Sequence, residues 1–424
     1  MDVIDIFRPV AASTPPARVP VTTWTTVARG MMTGSWKHLF SRALAAQAPR
    51  LTFLAHGHHL WPDVSRAAHI NAWDDASSLA GAKWRKVLGP AWEEAQRHVA
   101  NELNLPEPST VTFAGNAHEL LVRIFSAMPA KPVRILASRQ EFLSAMRQFR
   151  RWEETGVGSL TLVDSDQIAQ VAAAGHFDLI YLSQVFYDSG QESNWRKLAS
   201  LARPEGPWVV IDGYHGFMAI PTDLAEVSEH IFYIAGGYKY AMSGEGMGIL
   251  HAPPGFALRP EITGWFAQAD QGDSSPDQPV WFANDARRFL GSTFDPSGLY
   301  RFNAVQRMLK AQSLTTQVIA AHVRTLQSAF LDKIDMPTLQ LVRSSENLPS
   351  ARFLAYRRDG ATEIGECLRA QGIEVDARGE LLRIGFSIYH DLEDVERLIT
   401  AFAGCSQACA DLYPLSNTGR GNRS

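Results

Sequence analysis

From about residue 90 to residue 250 the chain alternates short apolar runs with stretches of helical period. Trp92, Ala95, Val99 and Leu103 recur at three- and four-residue spacing with polar residues between them, which predicts a helix with one buried face. Val111-Thr112-Phe113-Ala114 then reads as a strand and residues 117–127 as a helix. Val133-Arg134-Ile135-Leu136-Ala137 predicts the next strand, followed by a helix through Met146 and Trp152. Further strands are expected at 160–163, 179–182, 208–211, 231–235 and 247–251, about seven in all. The alternation predicts an α/β fold: a mostly parallel sheet covered by helices on both faces, with ligands bound outside the strand ends.

Residues 253–300 are rich in Pro, Gly, Asp and Trp and read as loops over the ligand site. One long helix is expected from Arg301 to about Leu331, leading into a smaller α/β domain. There, strands are expected at Arg352–Tyr356 and Leu381–Gly385, and a helix from Thr362 to Gln371. A last helix opens at Asp391 and turns Leu392, Val395, Leu398, Ile399 and Phe402 inward. The division expected is an N-terminal arm and small-domain segment at 1–70 and a large cofactor-binding domain at 71–310. A small C-terminal domain follows at 311–415, and a disordered tail at 416–424.

The 424 residues carry a net charge of −4, which offers no field for nucleic acid or anionic lipid. No apolar run approaches the length that spans a bilayer. The first residues, Met1-Asp2-Val3-Ile4-Asp5, hold acids where a signal peptide needs bases, so the cytoplasm is the expected compartment. Cys367, Cys405 and Cys409 are a sparse, odd set, and free thiols on a C-terminal helix are expected in place of a disulfide. A glycine-rich dinucleotide fingerprint after the first strand is missing, which disfavours a nicotinamide cofactor.

The candidate chemistry lies in two runs. Val209-Val210-Ile211-Asp212-Gly213-Tyr214-His215 is an apolar strand that ends in a carboxylate, with an imidazole three positions on. Ile234-Ala235-Gly236-Gly237-Tyr238-Lys239-Tyr240 is a second apolar strand that ends in glycines, a tyrosine and a single lysine. Lys239 sits in an uncharged run where a surface lysine would have polar company, and a carboxylate at the buried end of a strand needs a partner. Pyridoxal 5′-phosphate (PLP) requires this pair. A lysine holds its aldehyde as a Schiff base, and a carboxylate keeps its pyridine nitrogen protonated so that the ring acts as an electron sink.

These residues and a chain of further blocks resemble the class V aminotransferase superfamily of fold type I PLP enzymes, and within it kynureninase. The blocks are Phe53-Leu54-Ala55-His56-Gly57-His58-His59-Leu60-Trp61-Pro62, Ala114-Gly115-Asn116-Ala117-His118, Glu141-Phe142 and Tyr187-Asp188-Ser189-Gly190-Gln191. Gly264-Trp265-Phe266 and Arg383 with Tyr389-His390 complete them. The resemblance implies that Lys239 forms the Schiff base and shuttles the Cα proton, and that Asp212 pairs with the pyridinium. His215 would hydrogen-bond the phenolic oxygen of PLP, or fill the core. Gly115 and Asn116, at a strand-to-helix turn, and Tyr238 would hold the phosphate. Phe142 would stack on the pyridine, or pack in the core. Thr293, in Ser292-Thr293, would reach the phosphate of a neighbouring subunit, which implies a homodimer with composite sites. Trp265 would line the pocket, and Arg383 would clamp the α-carboxylate of an amino-acid substrate.

The resemblance also has departures. Gly57 stands where kynureninase has serine, and Phe294-Asp295-Pro296 where it has Ser-Asn-Pro, so Asp295 would meet a substrate that presents a donor. In the cluster His56, His58 and His59, His56 and His58 are expected to alternate onto one face, forming a polar pocket wall and no metal site. The activity implied is kynureninase-like cleavage of a side-chain bond in an L-amino acid. The alternative is transfer of the amino group to a keto acid.

Overall fold

The computed structural model describes residues 35–256, 258–268, 279–334, 340–341 and 351–412. The expected tail at 416–424 and most of the N-terminal arm lie outside the described residues. A short strand β1 (Leu51–Thr52) precedes the large domain. That domain is built on β2 (Val111–Ala114), β3 (Val133–Ser138), β4 (Gly158–Val163), β5 (Leu179–Ser183), β6 (Trp208–Asp212), β7 (Ile231–Gly236) and β8 (Gly248–His251). They form one seven-stranded sheet in the order β2-β8-β7-β6-β5-β3-β4. β8 runs antiparallel to both its neighbours, and every other pairing is parallel. The mostly parallel α/β sheet expected from the alternation is therefore present.

The central strands β5, β6 and β7 are buried along their whole length, as continuous apolar runs must be when helices cover both faces. One face packs Val209, Ile211 and Ala235 with Trp92 and Val99; the other packs Val210, Phe232 and Ile234 with Leu120, Ile124 and Phe149. Parallel pairing brings the C-terminal ends of these strands to one edge. Ser183 stands opposite Asp212, and Asp212 opposite Ile234. The loops that leave β6 and β7 cross closely, and two glycines make room. A Cβ at Gly213 would fall 1.9 Å from the Tyr233 hydroxyl, and one at Gly236 would fall 2.3 Å from the Tyr214 ring.

In the small domain, β9 (Gln340–Leu341), β10 (Phe353–Arg357), β12 (Asp376–Arg378) and β13 (Leu381–Gly385) form an antiparallel sheet in the order β12-β13-β10-β9. β11 (Ile373–Glu374) pairs in parallel with β1, so the early segment joins this domain. Helices Ala361–Ala370 and Leu392–Leu412 complete it.

Three expectations are corrected. The long helix from Arg301 to Leu331 is two helices, Ser297–Ala311 and Thr316–Leu331. Apolar periodicity continues across the join, but Ser313 is left-handed (φ 54°) and the Thr315 side chain caps the second helix by accepting from Val318 N. Cys367 and Cys405 are not free thiols. Packing of the two small-domain helices brings their Cα atoms to 5.7 Å and they form a disulfide. Nothing in the sequence pointed to this pairing, because a contact between residues 38 apart depends on tertiary packing. Thirdly, His56 and His58 do not share a face. Their segment is a tight turn, with the Gly57 and His58 amides both donating to Leu54 O.

Candidate active site

Lys239 lies five residues after the pairing of Asp212 with Ile234, in the loop that leaves β7. Its Nζ donates to the carbonyl of His56 at 2.7 Å and lies 2.9 Å from Nε2 of His215. All three residues are buried. Burial, with the nearby Arg383 charge, pulls the Lys239 amine down to about 7, while Asp212 opposes the shift. His215 is pushed well below the usual imidazole range, first by burial and then by the Lys239 charge. Near neutral pH the pair therefore carries at most one charge, on the amine.

Asp212 is fixed from two sides. Its Oδ2 accepts from the Tyr181 hydroxyl, and its Oδ1 accepts from Tyr214 N at 2.8 Å. Burial raises its pKa, the two hydrogen bonds offset part of that, and the Lys239 charge adds to the offset. Glu141 lies close by, with Ser183 N at 3.1 Å and the Ser183 hydroxyl as donors, and burial pushes it up to about 8. Both acids have their own donors, but Glu141 is pushed up to about 8 and Asp212 has the Lys239 charge beside it, so Glu141 is the acid kept protonated.

A cavity of about 380 Å³ opens over this group. Asp212, Tyr214, His215, Tyr238 and Lys239 line one side, and Asn116, Ala117, His118, Phe142 and Tyr187 contribute to the rest. Asn116 caps the Ala117–Ser126 helix by accepting from Glu119 N, so the helix starts at the cavity wall and its dipole favours an anion there. Gly115 joins β2 to that cap without lining the cavity. Phe142 is 42% exposed, which its place on the cavity wall explains, so the core reading of this residue fails. His215 likewise faces the cavity, and its Nδ1 is buried without a partner.

Arg383, on β13, donates through Nη1 to the carbonyl of Tyr187, a cavity residue, and through Nη2 to Asp376. The structure does not bring every expected residue together. Trp265 is 42% exposed and stacks on Phe266, away from the cavity lining. Thr293 is exposed and Asp295 accepts from Ser297 N at 2.9 Å and Ser297 Oγ at 3.0 Å, so within one chain neither reaches the cavity. Gly57 sits beside the His56 carbonyl that holds Lys239 and does not line the cavity. The three histidines separate: His56 and His59 are fully buried, and His58 is exposed with Nδ1 3.7 Å from Glu245. His59 bonds the Leu60 carbonyl at 2.7 Å and the Ser387 hydroxyl, a purely architectural place.

Tyr181 and Asp376 were not singled out by sequence, and Glu141 was named only within the Glu141-Phe142 block. Tyr181 carried a signal, a hydroxyl in the middle of an otherwise apolar strand adjoining the Asp212 strand. Asp376 carried none, because only the β12–β13 register sets it opposite Arg383.

A buried lysine of depressed pKa, a positioned carboxylate, an unpaired imidazole nitrogen and a helix start thus meet around one cavity. The family model for class-V aminotransferases matches residues 80–398, and the chain belongs to that family. Isopenicillin N epimerase of Streptomyces clavuligerus is 27% identical over 257 residues, covering 55% of this chain and 62% of the epimerase. A probable cysteine desulfurase of Vibrio cholerae is 25% identical over 239 residues, covering 53% of this chain and 57% of the relative. The chain thus matches about three-fifths of the length of these curated relatives. Among solved structures, the cystine C-S lyase C-DES with its product cysteine persulfide superposes at a TM-score of 0.73 and 16% identity, covering 85% of this chain and 98% of that one. The cysteine desulfurase CsdA of Escherichia coli gives 0.73 and 17%, covering 88% and 98%. These likenesses show the fold. The family's cofactor is PLP, and the residues of this site fit it.

Proposed function

We propose that the chain is a PLP-dependent enzyme that binds an L-amino acid and cleaves a bond in its side chain, as a kynureninase-like lyase or hydrolase. The observation that carries this reading is the Lys239 amine, drawn down to about 7 between His215 and the His56 carbonyl at the cavity floor. Bound PLP supplies an electron sink for negative charge at the substrate Cα. Lys239 would hold its aldehyde, Asp212 its ring nitrogen, and Asn116 with the helix start its phosphate.

The chain's own residues supply the rest. With its pKa near neutrality, Lys239 would be available as a free amine to hold the cofactor and would take up or return the Cα proton. Tyr181 and the Tyr214 amide hold the Asp212 carboxylate in one orientation, where it would pair with the cofactor's ring nitrogen without reorganisation. Arg383 would fix the α-carboxylate and thereby the Cα bond to be broken. Thr293, exposed within one chain, would complete the phosphate site of a second copy in a homodimer.

Transamination uses the same sink, base and clamp and is the alternative. Desulfuration would need a thiol at the cavity. Cys367 and Cys405 are joined to each other in the small domain, and no cysteine is among the residues lining the cavity. Incubation of the holoenzyme with a panel of L-amino acids tests the reading. Release of a side-chain fragment with alanine, pyruvate or ammonia supports it. Keto acid formed only when a second keto acid is supplied would replace it with transamination.

A further inference from the structure

One buried group next to the site has no partner. The His56 ring is fully buried and stacks on Phe353 at 4.8 Å between centroids, yet neither ring nitrogen makes a hydrogen bond. Gly385 holds the ring close, since a Cβ there would lie 2.3 Å from Nδ1. Nε2 points to Oδ2 of Asp376 at 3.6 Å, a contact too long for a hydrogen bond. That same Oδ2 is the oxygen bonded to Arg383 Nη2, while Oδ1 is held separately by Arg378 Nε at 3.0 Å. One carboxylate oxygen therefore stands between two donors and is bonded to one of them.

An amino acid brought to Arg383 adds a second carboxylate to a guanidinium that already carries one. Two carboxylates around one buried cation repel, and a buried charge left without a partner is costly. Arg378 secures Oδ1, so only Oδ2 needs a new donor. His56 offers one, because burial pulls its pKa down to about 4 and the neutral ring carries one N–H. The other charged or titratable groups facing the ring are Lys239 and His215, which already bond each other.

We propose that Asp376 is an internal stand-in for the substrate carboxylate: it holds Arg383 until an α-carboxylate arrives, then shifts Oδ2 onto the Nε2–H of His56. Asp376 and His56 are then positioning residues that set how strongly the site prefers amino acids over plain amines. The inference rests on the reading of Arg383 as the carboxylate clamp.

Two small probes of the same skeleton test it, 2-aminoisobutyrate and isopropylamine, which differ only in the carboxylate. Neither needs to turn over. Their affinities for the holoenzyme are read from the cofactor's absorbance and by calorimetry. Asp376→Asn keeps the shape and one acceptor but removes the competing charge, so preference for the acid should rise by about tenfold or more. His56→Phe keeps the ring stack but removes the receiving donor, so that preference should fall while amine binding holds. An unchanged or lower acid preference in Asp376→Asn overturns the inference, as does an unchanged preference in His56→Phe. Arg383→Met tests the clamp itself: if the acid preference survives that change, the clamp reading fails and the stand-in with it.

Discussion

Lys239 Nζ and His215 Nε2 lie 2.9 Å apart at the floor of the cavity, close enough to share one hydrogen and too close and buried for both to be charged. This contact ties the loops after β6 and β7 together. Its consequences extend to stability, to the cofactor and to the pH range of the chemistry.

The first consequence concerns apoprotein stability. The Lys239 pKa is lowered from 10.5 to about 7 by burial, so between those values the unfolded chain binds a proton that the folded chain does not. Stability therefore rises with pH through this window, and the cost of burying the amine is greatest below pH 7. Lys239→Met in the apoprotein should raise stability at pH 6 by on the order of 1–4 kcal/mol, and by much less at pH 10. Thermal melts of both proteins at the two pH values check the sign.

Asp212→Asn removes the charge, yet its oxygen can still accept from Tyr214 N while its NH2 donates to the Tyr181 hydroxyl, which can turn to accept. The fold should survive, because the buried neighbours keep a partner. Turnover should fall on the order of 10²-fold or more, as for loss of a preorganised electrostatic contact. Steady-state rates with any accepted amino acid decide it, and turnover near that of the unmodified protein would remove Asp212 from the cofactor role.

Much of this site was legible because its residues sit at the ends of apolar strands. The runs 209–215 and 234–240 fixed Asp212 and Lys239 by local pattern, and parallel pairing then brought them together. What was not legible depends on turns and on tertiary register. Gly57 between two histidines suggested alternation, whereas a turn built on the Leu54 carbonyl sends His56 inward and His58 to solvent. The helix break at Ser313 was masked by apolar residues that continue on both sides, although the Thr315 cap could have been read. The Cys367–Cys405 disulfide and the Asp376–Arg383 pair join residues that only packing or strand register brings together.

Thr293 is exposed and absent from the cavity lining of its own chain, as expected of a residue that serves a partner's site. In a homodimer with composite sites, Lys239→Ala and Thr293→Asp subunits should complement each other. Equal mixing gives one intact site in each mixed dimer, so activity should recover to about one quarter of the unmodified level. No recovery, in mixed dimers confirmed by mass, would show that each chain forms its site alone.

Gly57 and Asp295 stand where the kynureninase resemblance would put two hydrogen-bonding side chains, and Asp295 is engaged with Ser297. Loss of two polar contacts costs about 10²–10⁴ in rate on a substrate that needs them. L-kynurenine should therefore be a poor substrate. Anthranilate release, followed by fluorescence, measures this directly, and rapid release would make the activity that of a plain kynureninase.

The central claim is that Lys239 holds the cofactor. Borohydride reduction of the PLP-loaded protein, followed by peptide mapping by mass spectrometry, fixes the cofactor to whichever lysine carries it. The account predicts a single phosphopyridoxyl adduct on the peptide containing Tyr238-Lys239-Tyr240, and none in Lys239→Ala. An adduct on another lysine, such as Lys310, with Lys239 unmodified, would contradict it.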